Sequence, residues 1–164
     1  MHNNKFKSVK TGYIILTLET SFLLNLTHTP RFMNNKKIII EHELRSKSPN
    51  IIWSLLSSPE GLAKWIADEV VTDGEQYKFT WGDVTGNHEV RLAEILEKKD
   101  CDHIRFRWCD EDHENTYWEL RMEKSDLTGS YVLIITDFAV DGDADTIEDI
   151  WDANLDNLHT SSGL

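Results

Sequence analysis

Cysteine, proline and positive charge are scarce in this chain: two Cys, three Pro and 17 Lys plus Arg among 164 residues. Each shortage excludes something. Cys101 and Cys109 are too few to staple a fold, and a chain of this length can bury a core without disulfides. They fall on a strand and on the turn before it. Both therefore read as reduced thiols, and the chain as cytoplasmic. The basic residues face 29 Asp plus Glu, for a net charge of -12. That charge repels phosphate backbones and anionic lipid, so nucleic acid and membrane surfaces are not expected as partners. There is no Gly-rich phosphate loop, no Gly-x-Ser-x-Gly elbow and no Cys–His pair in a catalytic setting. No catalytic residue and no cofactor is assigned on these grounds. The longest apolar stretch, YIILTLETSFLLNL at 13–26, is too short to span a bilayer, is broken by Glu19 and lacks a small-x-small cleavage site.

What is there is aromatic and periodic. Six Trp, six Phe and four Tyr supply core volume for one domain. MNNKKIIIEHEL, from Met33, reads as a protein start leading directly into a strand. Residues 1–32, basic where the rest is acidic, are expected to be an extension outside the domain, disordered or an upstream start-site artefact. The domain is then 33–164.

Within it, Ile38, Ile40 and Leu44 alternate with Glu41 and Glu43, a half-buried strand. Two Ser-Pro pairs follow. Ser48-Pro49 and Ser58-Pro59 each place a capping hydroxyl before a proline at the first helical position. Ile52, Trp53, Leu55 and Leu56 make one apolar face; Leu62, Trp65 and Ile66 make the next. Helices this short need a support, and a curved sheet is the natural one. After Asp73-Gly74 the period returns to two. Tyr77, Phe79 and Trp81 alternate with Lys78 and Thr80; Val90 and Leu92 share a face within 88–97; Ile104, Phe106 and Trp108 alternate with His103, Arg105 and Arg107. Strands at 116–123 and 130–138 follow. Ile147, Ile150, Trp151, Leu155 and Leu158 then recur at helical spacing, with Asp143 or Asp145 as the cap. The order predicts an α+β domain: an antiparallel meander with helices set apart from it. A curved sheet wrapped round one helix leaves a hollow between the two.

SPNIIWSLLSSPEGLAKWI, YKFTWG, HIRFRW and IWDANLDNL, in this order and spacing, resemble the START-like (SRPBCC, helix-grip) superfamily over about residues 36–158. The branch most like them is the domain of the activator of Hsp90 ATPase. The resemblance implies a curved sheet, two short helices closing one end of it after the first strand, and a C-terminal helix packed across it. Family helices run on past the spaced leucines. This one meets HTSSGL, where either the helix is short or the chain is cut.

The candidate site follows from that fold. Trp65, Phe79, Trp81, Phe106, Trp108, Trp151 and Leu155 are expected to line a groove for a small apolar or amphipathic ligand, with Asn154 as a polar group on the helix. The plain alternative is solid core packing. Trp53 and Trp118 belong to the same aromatic set, but a bulge would flip the parity of Trp108 or Trp118.

No metal site is assigned. Asp141, Asp143, Asp145 and Asp152 have calcium-loop spacing, but Thr146 stands where the loop needs Gly, and the twelfth position lacks Glu. Cys109 and His103 are roughly 20 Å apart along a strand, too far to share an ion. His42, alone of the histidines, shares inward parity; His88, His103 and His113 read as surface groups. After Lys124 there are only acids among the charged residues, a surface that would steer a basic protein partner. Two other readings therefore stand beside ligand binding. One is a protein-interaction module, such as a chaperone regulator; the other is an enzyme of the cyclase or hydrolase type that the superfamily contains.

Overall fold

The computed structural model describes residues 35–164 apart from 84, 112–114, 140 and 141. The expected extension at 1–32 and Asp141 of the acidic spacing lie outside the described residues. The elements in chain order are β1 (Lys36–Leu44), α1 (Pro49–Ser57), α2 (Pro59–Leu62), β2 (Glu69–Asp73), β3 (Gln76–Gly82), β4 (His88–Lys99), β5 (His103–Trp108), β6 (Trp118–Lys124), β7 (Tyr131–Ala139) and α3 (Ala144–Ser162). The seven strands form one antiparallel sheet in the order β1-β7-β6-β5-β4-β3-β2. This is the helix-grip arrangement.

Three details differ from the sequence reading. EVVTD, at 69–73, is a strand in its own right: it hairpins back on β3 through Gly74, whose φ of 62° only a glycine adopts freely. Ser58 caps α2 by accepting the Gly61 N–H at 3.0 Å, but Ser48 makes no side-chain cap; its own N–H donates to Ser46 Oγ at 3.1 Å. The final helix does not stop at HTSSGL. It runs through His159–Ser162 and ends at Gly163, left-handed with φ 73°, which returns its N–H to the His159 carbonyl.

The paired short helices close one end of the sheet, and their packing is tight. A Cβ at Gly61 would collide with the Ser54 carbonyl oxygen, so only glycine lets α2 approach α1. Polar bonds fix them to each other and to β3. The indole N–H of Trp65 donates to the Leu55 carbonyl (3.1 Å), that of Trp81 to the Ile66 carbonyl (2.7 Å), and the Tyr77 hydroxyl to the Ser57 carbonyl (3.1 Å).

Alternation sorts each strand. Ile104, Phe106 and Trp108 face inward with Trp118, Leu120, Leu133 and Ile135; His103, Arg105 and Arg107 face outward. On β4 the register shifts between Ile95 and Glu97. Before the shift, Arg91, Ala93 and Ile95 lie on the inner face, opposite Phe79, Tyr77 and Phe106, so Val90 and Leu92 point outward. After it, Lys98 pairs with inward Ile104, and its ammonium reaches the Ser57 carbonyl at the end of α1 (3.1 Å).

Candidate functional site

Inward alternation on β3, β5 and β6 converges with one face of α3, and what converges is indole. Phe106 and Trp118 are directly paired across β5 and β6 and stack with ring centroids 4.2 Å apart. Trp118 continues to Trp108 (5.4 Å) and to Trp151 of α3 (5.9 Å). Trp108 meets Trp81 (6.1 Å), and Trp151 meets Trp65 (6.3 Å). The chain Trp81–Trp108–Trp118–Trp151–Trp65 is the wall of a cleft of about 880 Å³, open to solvent, between the sheet and α3. Ile147, Ile150, Asn154 and Asn157 complete it from the helix, and Ile150, half exposed, forms part of its rim.

Of the eight expected lining residues, the structure brings five to the cleft: Trp65, Trp81, Trp108, Trp151 and Asn154. Phe79, Phe106 and Leu155 lie behind the wall, packed in the core rather than lining it. Phe79 touches Trp81, Trp108, Trp118 and Phe106, and so holds the aromatic wall from the sheet side. Trp53 is half-buried on α1, away from the cleft. His42 keeps inward parity, opposite Leu133, and is half-buried outside the lining. His103, expected at the surface, is buried under ion pairs on the outer face. Both cysteines are exposed free thiols. Among the described residues no three His, Cys, Asp or Glu side chains are grouped to hold a metal, and no helix is long and apolar enough to cross a membrane.

Trp118, whose parity the sequence left open, also lines the cleft, as do Asp137 and Arg91, which the sequence reading did not single out. Trp118 is only 1% exposed, and its buried indole N–H has no acceptor among the described residues. Asp137 sits at inward parity with Leu133 and Ile135, a signal available in the sequence. Its Oδ2 accepts the Trp151 indole N–H at 2.8 Å, and its Oδ1 accepts the Phe138 backbone N–H at 2.7 Å. Burial pushes its carboxyl up to about 6, against the pull of those two bonds. Arg91 lies at the cleft edge with its guanidinium 4.2 Å from the Trp108 ring centroid. It is clamped by Asp110 (2.8 and 2.9 Å) and Glu111 (3.0 Å). The clamp holds the Asp110 carboxyl below its usual range.

The cleft combines apolar faces with a few fixed polar groups, a combination common among small-molecule sites. The family model of the START-like superfamily domain matches residues 32–164. The chain belongs to the START-like superfamily. Its structural relatives agree. BfR322 from Bacteroides fragilis is 40% identical, with 78% of this chain and 91% of that one covered and a TM-score of 0.55. The Aha1 dimer from Colwellia psychrerythraea is 14% identical, with 78% and 98% covered and a TM-score of 0.59. CalU16 from Micromonospora echinospora is 20% identical, with 76% and 72% covered and a TM-score of 0.54. At such identities the last two share the fold alone. A search of the curated proteins finds no significant match.

Proposed function

We propose that this chain is a cytoplasmic, non-enzymatic carrier or sensor that binds one small amphipathic molecule in the cleft under α3. The observation that carries this reading is the cleft itself: about 880 Å³, walled by five indoles. That volume falls within the ~300–1,000 Å³ of small-molecule sites. Trp65, Trp81, Trp108, Trp151 and Asn154 are the proposed contacts, joined by Trp118 and Asp137. Binding is favoured over turnover by the polar inventory: Asp137 is hydrogen-bonded to no second acid or base among the described residues.

One observation favours a second reading, a protein-interaction module like the activator of Hsp90 ATPase. The outward side of α3 carries Asp145, Glu148, Asp149, Asp152 and Asp156 and no Lys or Arg. Native mass spectrometry of the full chain purified from its own host, before and after denaturing extraction, separates the two. A retained molecule of a few hundred daltons, released on denaturation, is expected. A protein that is empty, and whose melting temperature no apolar or aromatic compound shifts, sinks the ligand reading in favour of the acidic helix as a docking surface.

A further inference from the structure

The cleft's charge and its aromatic faces, taken together, say more about a ligand than its volume does. Resting on the ligand reading above, we propose that the site selects an organic cation: an amphipathic amine or quaternary ammonium whose head lies between the Asp137 carboxylate and the indole wall.

Asp137 makes no ion pair among the described residues; both of its hydrogen bonds come from neutral N–H donors. A half-buried carboxylate served only by neutral donors is left with an uncompensated charge. Arg91 favours its ionisation but is itself held by Asp110 and Glu111, so the local balance of charge stays negative. Of the charged residues lining the cleft, Lys64 and Arg91 are outnumbered by Asp68, Glu89 and Asp137. The outward acids of α3 add to the same sign, so the potential at the mouth draws cations and repels anions.

The wall itself suits a cation. Indole faces carry negative quadrupole density, and tryptophan is the strongest aromatic partner of an ammonium or guanidinium. This protein shows the interaction within the cleft, since the Arg91 guanidinium lies over the Trp108 ring at 4.2 Å. Trp151 brings the two elements together: its ring belongs to the wall and its N–H is bound to Asp137. A cation stacked there meets both the π face and the carboxylate. A neutral ligand of the same shape gains only the area.

The pH dependence has a definite sign. The groups around Asp137 are Arg91 of β4, which favours its ionisation, Glu111, which opposes it, uncharged Ile38 opposite it on β1, and the uncharged cleft face of α3. With the carboxyl raised to about 6, a cation binds the ionised form and gains affinity as pH rises through that value.

The test uses the full chain and three probes with a benzyl group on a tetrahedral head: benzyltrimethylammonium, its uncharged carbon isostere neopentylbenzene, and phenylmethanesulfonate. Calorimetric titration near neutrality is expected to rank the cation about tenfold or more above the isostere, with the sulfonate weakest. Lowering the pH from about 7.5 to about 5 should erase most of the cation's advantage and leave the isostere unmoved. Asp137→Asn should do the same at neutral pH; where that variant does not fold, the pH comparison on the unaltered chain decides. If the isostere or the sulfonate binds as tightly as the cation, this proposal is overturned and the cleft reading stands. If none of the three binds and no native ligand is found, both fall.

Discussion

β5 and β6 present two unlike faces from the same few residues. Inward, Ile104, Phe106, Trp108, Trp118 and Leu120 pack without a charge among them. Outward, Glu119 accepts from Arg105 at 2.6 Å and Arg121 at 3.2 Å, and Arg105 lies over the Tyr117 ring at 4.5 Å. Asp102 is bonded to Lys99 (2.7 Å), Arg121 (3.1 Å) and His103 (2.6 Å), while His103 Nε2 stands 3.3 Å from a Glu97 oxygen. The inner face is held by volume, the outer by pairing. The cleft opens on the inner face, where large rigid rings on a curved surface cannot all meet, whereas flexible Arg and Glu chains close over the outer one. A site for a foreign molecule is therefore expected where rigidity is greatest.

That contrast can be broken at measurable points. Trp118→Ala removes the ring at the centre of the wall and should cost about 3–5 kcal/mol in denaturant unfolding, the range for a large buried aromatic. A loss under about 1 kcal/mol would mean the wall is not integral to the core. On the outer face, Glu119→Ala strips two arginines of a buried acceptor and should cost about 2 kcal/mol, whereas Glu94→Ala, which opens a more exposed pair with Arg107, should cost less than about 1 kcal/mol. Equal costs would show that pairing on this face does not depend on burial.

The smallest effect separates the faces by pH. Asp137 is raised to about 6 on folding, so the folded state binds its proton more tightly than the unfolded state does. Its contribution falls as pH rises from about 4 to 6, by about 1–2 kcal/mol after allowance for partial exposure. Asp102, bonded to Lys99 and His103, is lowered to about 2; its stabilisation is present above about 4 and lost as pH falls through 2. Carboxyl carbon chemical shifts followed from about pH 2 to 8 should show Asp137 titrating well after Asp102. The reverse order would undo the assignment of uncompensated charge to the inner face.

Most of the architecture is legible in the sequence because it rests on local rules. Period-two alternation marks β1, β3 and β5, and Ser58-Pro59 marks α2. β2 escapes because five residues, EVVTD, carry too little alternation to stand out. The end of α3 is hidden because His159–Ser162 are weak helix formers, and Leu164, folded back into the core, helps hold the last turn. The site is legible only in part. Phe79 and Trp81 share a strand face, yet the first lies behind the wall and the second on it; depth within a face is a tertiary property. Trp118 depends on its register against Phe106, which no spacing within one strand reveals. Asp137 and Arg91 are readable from parity but break the apolar pattern that parity is used to find.

Five of the six tryptophans belong to the cleft, each ring within 6.3 Å of the next. Transitions on rings so close couple to one another, so the near-ultraviolet circular dichroism of this protein is in effect a spectrum of one place. Its intensity and sign pattern depend on inter-ring angles that any molecule entering the cleft must perturb. The protein carries its own optical reporter: titration of an unlabelled compound that does not itself absorb at the indole bands reads occupancy of the site.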